Sequence, residues 1–177
     1  MFEIKPWDAD LYRQQTRRST LIIAVVFLAL AMLLSSLAVM LFGTPGSDNF
    51  RFNLGGVIVA VLAMAALMRL YLWSQPWMAA AVYGWQLKRS LMRITNVMHQ
   101  VTEGVQAQDP TAMKLLRFYH LGLTQMHQLD ANSSAQSSLV READEHLARM
   151  QAFNLDIEQL RLDPVWVEEV KRAYGER

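Results

Sequence analysis

Four histidines, His99, His120, His127 and His146, are the residues best suited to bind a metal or to act as a general base. His120 and His127 lie seven residues apart on one predicted helix, a rise of about 10.5 Å, so both cannot bind one ion. Glu142 and His146 lie four residues apart, whereas the Glu-x-x-His pairs of carboxylate-bridged di-iron bundles have a spacing of three. No histidine therefore has a metal-site spacing, and only a site assembled from several helices stays open.

Other catalytic patterns are also missing from the sequence. The chain has no cysteine, which excludes disulfides, cysteine-ligated zinc and a thiol nucleophile. It has no Gly-x-x-x-x-Gly-Lys phosphate loop, no Gly-x-Ser-x-Gly elbow and no His-Glu-x-x-His pair. We therefore expect no enzymatic activity, no catalytic residue, no bound metal and no cofactor. The weaker alternative is a membrane enzyme that uses His99, His120 or His127.

Two long apolar segments dominate the first half of the chain. Residues 20–42 include no charged side chain, and residues 54–74 include only Arg69. Each segment has the length of about 20 residues that an apolar helix needs to cross a bilayer. A cleaved signal peptide fits poorly, because its apolar region is about 7–15 residues long, and a core helix of a soluble protein keeps a polar face. We predict a transmembrane helical hairpin over residues 20–75, after an interfacial segment at residues 1–19.

Basic residues predict the orientation of this hairpin, because lysine and arginine are retained on the cytoplasmic side of a membrane. The connecting loop, residues 43–53, contains one basic residue, Arg51. The outer ends of the hairpin contain more: Lys5, Arg13, Arg17 and Arg18 before the first span, and Lys88, Arg89 and Arg93 after the second. Both termini are therefore expected in the cytoplasm.

Small residues within the spans are spaced for close helix contact. Ala31 and Ser35 form one small-xxx-small pair, and Gly56 and Ala60 form another. These four residues are the candidate helix-helix contact in the membrane. The pairs can pack the two spans against each other or join copies of the chain, and the sequence does not separate these uses.

The end of the second span has the composition of a membrane interface. Arg69 is followed by Tyr71, Trp73 and Trp77. Aromatic side chains favour the headgroup level, and a long arginine side chain near a helix end can extend to the headgroups. These four residues are candidate interface anchors.

Residues 76–177 show helical periodicity throughout. Proline follows a capping aspartate at Asp109-Pro110 and at Asp163-Pro164, which predicts two helix starts, and a polar break is predicted at residues 130–134. We predict an all-α fold: after the hairpin, an antiparallel bundle of three long helices and one short helix, with its first helix about 30 residues long. The third apolar stripe is predicted from Val140 to Ile157. A coiled-coil-like seam along the first helix, joined by an aromatic residue of the last, is the candidate interaction seam: Leu87, Leu91, Ile94, Met98, Val101, Val105 and Trp166.

Composition and the missing catalytic patterns point to an interaction protein. The chain has 17 basic and 16 acidic residues, so no nucleic-acid partner is expected. Our preferred hypothesis is a membrane-anchored cytoplasmic adaptor or scaffold domain. Its expected partners are membrane lipid and a protein in the cytoplasm or membrane, with a homo-oligomer also possible. The alternative is a homo-oligomeric channel or transport component built from the hairpins.

Several short motifs resemble those of a known family. They are Tyr12-Arg13, Asn53-Leu54-Gly55-Gly56-Val57, Trp85-Gln86-Leu87-Lys88, Phe118-Tyr119-His120-Leu121-Gly122-Leu123 and Leu129-Asp130. With them, the chain resembles an uncharacterised family of small gammaproteobacterial inner-membrane proteins, catalogued as a domain of unknown function. The resemblance implies two spans and a bacterial cytoplasmic membrane. It implies no activity, cofactor or catalytic residue.

Overall fold

The computed structural model describes residues 1–131 and 136–175, and within them the chain is all-α as predicted. Two-residue strands β1 (Phe2–Glu3) and β2 (Arg161–Leu162) pair antiparallel. The helices are α1 (Ala9–Phe42), α2 (Phe50–Leu70), α3 (Ala79–Thr95), α4 (Met98–Gln106), α5 (Pro110–Leu129), α6 (Gln136–Ala152) and α7 (Pro164–Tyr174).

The chain divides into two compact units. One, here called the helical domain, comprises Met1–Arg13 and Tyr83–Arg177, and the other, here called the hairpin unit, comprises Gln14–Val82. Helices α1 and α3 each contribute residues to both units. The predicted domain boundaries at residues 19/20 and 75/76 stay a prediction.

The hairpin unit contains two helices that are long and apolar enough to cross a membrane. Helices α1 and α2 contact each other where the Ser35 hydroxyl donates to Asn53 Oδ1 at 2.8 Å, and where the rings of Phe42 and Phe52 stack at 6.3 Å. No residue in the most apolar stretch of α1 is buried, and only 17% of the most apolar stretch of α2 is buried. These helices therefore are not core helices of this chain.

The helical domain has its core around α5. Phe118 and Leu115 of α5 have no exposed surface, and they pack in one cluster with Ile94 of α3, Val101 of α4 and Val170 of α7. The predicted caps are confirmed. Asp109 accepts from the backbone of Thr111 at 2.7 Å and so begins α5, and Asp163 begins α7 in the same way.

The prediction of one continuous helix of about 30 residues is wrong, because the chain forms two shorter helices, α3 and α4, in its place. At the break, Val97 N–H donates to Ile94 O at 3.0 Å, three residues back instead of four. The Thr95 hydroxyl bonds the Leu91 carbonyl at 3.0 Å, which competes with the helical ladder. The described chain therefore has five helices after the hairpin.

Helix α2 also ends before Pro76, which opens a short 3-10 turn (Pro76–Met78), so the second span and α3 are not one helix.

Helix α6 is shifted from the predicted stripe. Leu139 is buried whereas Val140 is 44% exposed, and α6 ends at Ala152, before Ile157. The polar break predicted at residues 130–134 begins at Asp130, which caps the end of α5, and its residues 132–134 lie outside the described residues.

The amino-terminal residues belong to the helical domain. Phe2 and Glu3 pair with Leu162 and Arg161, and Lys5 N–H donates to the Tyr83 hydroxyl at 3.1 Å. No strand was predicted here, because two residues are too few for the alternation that indicates a strand. The predicted interfacial segment at residues 1–19 thus begins with five residues built into the domain.

Candidate functional site

A cleft of about 410 Å³ lies between α4, α5 and α6. Its apolar side is formed by Met98 and Val105 of α4 and Leu116 of α5, with the Tyr119 ring beside them. The α6 side of the cleft carries charged side chains. The cleft thus brings apolar and ionisable side chains together.

Two buried histidines form one wall of this cleft. The rings of His120 (α5) and His146 (α6) lie 5.5 Å apart between centroids, nearly perpendicular at 78°. Their residues are only 5% and 4% exposed. Histidine 146 lies seven residues after buried Leu139 and four before buried Met150, so helical periodicity directs it at α5.

Hydrogen bonding determines the state of one ring. The distance from His146 Nε2 to the Met113 carbonyl oxygen is 2.9 Å. A carbonyl only accepts, so Nε2 carries the hydrogen and, in the neutral ring, Nδ1 carries the lone pair. In contrast, His120 Nδ1 is buried and has no hydrogen-bond partner among the described residues. A buried polar atom left unpaired costs about 1–3 kcal/mol.

Burial keeps both rings neutral. Burial, with smaller contributions from the neighbouring His146 and Arg117, lowers the pKa of His120 to about 4. The pKa of His146 is also lowered, mainly by burial, although the Met113 carbonyl opposes the shift. A general base works best when its pKa is near the working pH. A neutral ring with a pKa of about 4 is a weak base, so this pair suits packing better than proton transfer at neutral pH.

Charged side chains form the rim of the cleft. Glu142, Glu145 and Arg149 all extend from α6. Arg141 approaches Glu145 at 3.9 Å, whereas Glu142 and Arg149 have no ion pair among the described residues. In that part of the chain, no three His, Asp or Glu side chains are placed to hold one metal ion.

The histidine pair was missed in the sequence because its members lie 26 residues apart on different helices. The sequence spacings compared were those of His120 with His127 and of Glu142 with His146. Each comparison concerns residues of one helix and says nothing about contacts between helices. The available signal was the register of Leu139, His146 and Met150 on one helix face. His99 is exposed and outside the cleft, and His127 does not line it either.

The predicted helix-helix contact residues lie in the hairpin unit. Gly56 is buried, and a Cβ atom at this position would lie 2.7 Å from the Leu34 carbonyl oxygen. Ala60 has no exposed surface, while Ser35 and Ala31 are partly buried. Gly56 therefore allows α2 to pack closely against α1 of the same chain.

The predicted interface anchors surround the end of α2. Arg69 lies in the last turn and is exposed, as is Tyr71 at 60%. Trp73 is 37% exposed, and Trp77 is partly buried and accepts a hydrogen bond from the Ser19 hydroxyl at its carbonyl, at 2.7 Å. Their interaction with headgroups stays a prediction.

The predicted interaction seam is part of the core. Met98 and Trp166 are partly buried against that core. The buried members are Leu87, Leu91, Ile94, Val101 and Val105. The apolar periodicity is thus largely satisfied within the chain, and two seam residues, Met98 and Val105, also line the cleft.

Comparison with known proteins identifies a family match. A family model described as "Protein of unknown function (DUF3087)" matches residues 2–167. No curated protein and no solved structure matches the chain.

Proposed function

Because the chain belongs to the DUF3087 family, whose description assigns no activity, we propose a function from the structure itself. The protein is an integral protein of a bacterial inner membrane, anchored by its hairpin, with both termini in the cytoplasm. The helical domain binds a partner protein there and catalyses no reaction.

The observation that carries this proposal is the exposed apolar surface of the hairpin unit. Met32 is 72% exposed, Leu33 62%, Leu62 65% and Ile58 53%. A soluble protein rarely leaves such a continuous apolar surface in water, because each 100 Å² costs about 2.5 kcal/mol. A bilayer removes that cost. The basic residues before the first span and after the second support the proposed orientation, in which both termini lie in the cytoplasm.

The cleft between α4, α5 and α6 is the contact surface that we assign to the partner. An apolar centre with a polar rim is the usual composition of a protein interface. Met98 and Leu116 are only partly buried and supply the apolar contact, and Glu142 on the rim is a carboxylate without an ion pair among the described residues. The matching partner segment carries an apolar side chain next to a basic one.

Membrane anchoring is tested by alkaline carbonate extraction of membranes that contain the full-length protein. We expect the protein to stay in the pellet, because two apolar helices are held by the hydrocarbon core. Release into the supernatant would contradict the anchoring.

Partner binding is tested by photo-crosslinking in native membranes. A photo-crosslinking amino acid replaces Thr102, which lines the cleft, or Gln100, which lies on the other side of α4. We expect a heterologous product from position 102 only. Glu142→Gln should reduce that product, whereas Glu168→Gln, an exposed carboxylate on α7, should not. Products that contain only copies of this chain would exclude the adaptor function.

The channel alternative has less support. The small residue Gly56 packs within one hairpin and Arg69 lies at a helix end, so neither is left to line a pore between copies.

A further inference from the structure

We infer that the helical domain has a second binding surface, specific for the headgroups of anionic phospholipids, along the exposed side of α3. We call it the α3 groove and define it by Trp85, Arg89, Arg93, Leu162 and Pro164. This inference rests on the proposed membrane anchoring and adds a lipid contact to it.

The α3 groove has a regular geometry. Trp85, Arg89 and Arg93 follow each other at a spacing of four, so they form one stripe on α3. The Arg89 guanidinium carbon lies 4.9 Å from the centre of the Trp85 ring. This cation-π contact orients Arg89 along the groove. A cavity of about 220 Å³ separates the stripe from Leu162 and Pro164 at the start of α7.

The charged side chains that line the α3 groove, Arg89 and Arg93, are both basic. No acidic residue lines it, and Arg89 and Arg93 form no ion pair within the described parts of the chain. The neighbouring Lys88 is different, because its amino group lies 3.0 Å from Asp130. The planar guanidinium group of arginine matches a phosphate with two parallel hydrogen bonds. Two such groups one helical turn apart suit a phosphate diester.

Two exposed apolar side chains lie beside the two arginines on α3. Trp85 is 47% exposed and Met92 is 64% exposed. A tryptophan with a basic residue is typical of the headgroup level of a membrane, where the ring meets acyl chains and the charge meets phosphate. The surface is thus amphipathic in the way that a membrane interface requires.

Anionic lipid fits this surface better than an acidic protein segment. Trp85 to Arg93 follow the second candidate span within about 20 residues, the range in which juxtamembrane basic residues meet anionic lipid. The cavity is also smaller than the roughly 300–1,000 Å³ of sites that enclose larger ligands, and it has room for one headgroup.

The experiment uses the full-length protein in nanodiscs. Since the chain has no cysteine, Met92→Cys introduces a single position for a fluorophore, and Gln151→Cys on α6 is the control position. Lipids that carry a spin label on the headgroup quench fluorophores near them. Discs contain either phosphatidylcholine alone or phosphatidylcholine with phosphatidylglycerol. We expect stronger quenching at position 92 with phosphatidylglycerol, and no such difference at position 151.

Charge variants make the test specific. Arg89→Gln with Arg93→Gln should weaken the contact about fivefold for each arginine, since a basic residue near an anionic surface contributes about 1 kcal/mol. The matched control is Arg141→Gln with Arg172→Gln, which removes the same charge from exposed positions on α6 and α7. Equal loss in both variants, equal quenching in both discs, or a crosslink from position 92 to an acidic protein instead of lipid would overturn the inference. Failure of the protein to enter discs would instead overturn the anchoring.

Discussion

At the scale of single residues, the most consequential feature is the pair His120 and His146. Each is almost fully buried, and neither is charged at neutral pH because burial lowers both pKa values. His120 Nδ1 lacks a partner among the described residues. Positive charge near the pair comes from Arg117 and Arg149, and Glu142 and Glu145 line the same cleft. Protonation of either ring would add a positive charge, within a buried contact between α5 and α6, near Arg117.

The first prediction is that the helical domain loses stability in mild acid. The unfolded state binds a proton at His120 near pH 6.5 and the folded state near pH 4, so the stabilisation is complete above pH 6.5 and is lost as the pH falls to 4. We expect the free energy of unfolding to fall by about 2 kcal/mol between pH 7.5 and pH 5 from His120 alone. Urea unfolding of the full-length protein in mild detergent measures it.

The control for this prediction replaces one histidine at a time. His120→Leu removes the titrating group and the unpaired Nδ1 together, so stability at pH 7.5 should stay within about 1 kcal/mol and the acid loss should shrink. His99→Leu changes a histidine whose side chain is 82% exposed and should leave the acid loss unchanged. An acid loss that persists unchanged in His120→Leu would refute the role of the pair.

At the scale of elements, the contact between α1 and α2 depends on one of two adjacent glycines. A Cβ at Gly56 would lie 2.7 Å from the Leu34 carbonyl oxygen and the Ser35 nitrogen, whereas a Cβ at Gly55 would meet nothing within 4 Å. The obstacle at Gly56 is backbone, which cannot rotate away. The helices must therefore move apart to accept a side chain there.

The second prediction compares alanine at these two positions. Ala31 and Ala60 each lie one helical turn beyond the Ser35–Gly56 contact, so Ala31→Cys with Ala60→Cys should form a disulfide within one chain. Gly56→Ala should slow its formation roughly tenfold, because overpacking costs about 1–3 kcal/mol. Gly55→Ala should not slow it. The rate is measured by gel mobility after oxidation in membranes, and equal rates in the two variants would argue against this packing.

At the scale of the whole molecule, residues 2–4 pair with residues 160–162 within the helical domain. Strands β1 and β2 join residues about 160 positions apart, and the Ile4 N–H donates to the Leu160 carbonyl at 2.8 Å. Ile4 is 9% exposed and belongs to the core cluster. The domain therefore needs residues from both sides of the hairpin sequence to complete its core.

The third prediction is that Ile4→Ala destabilises the helical domain by about 2–3 kcal/mol, in the lower part of the usual range for a buried isoleucine because Ile4 is 9% exposed. Hydrogen exchange of the full-length protein in detergent should become faster in β2 and α7, with the most apolar part of α2 unchanged. Leu11→Ala is the matched control, since Leu11 is 46% exposed and should cost about 0.5 kcal/mol or less. Unchanged exchange in β2 would show that the amino-terminal segment does not support the domain.

Local signals in the sequence were sufficient for part of this structure. The aspartate-proline pairs at Asp109 and Asp163 predicted two helix starts correctly, because capping uses atoms within three residues. The break after Thr95 was missed, because an apolar stripe continues in phase through a short interruption of the helix. The candidate cleft was missed for another reason: spacing within one helix contains no information on which helices become neighbours.

The sequence by itself determined the all-α class, the two apolar helices of membrane-spanning length and the near absence of strand. Each depends on chain length, side-chain type or periodicity over one or two dozen residues. Only the tertiary structure decided that the seam from Leu87 to Val105 is core, that His120 meets His146, and that Ile4 completes the helical domain. Such contacts join residues far apart in the chain, and the shape and polarity of the facing surfaces select them.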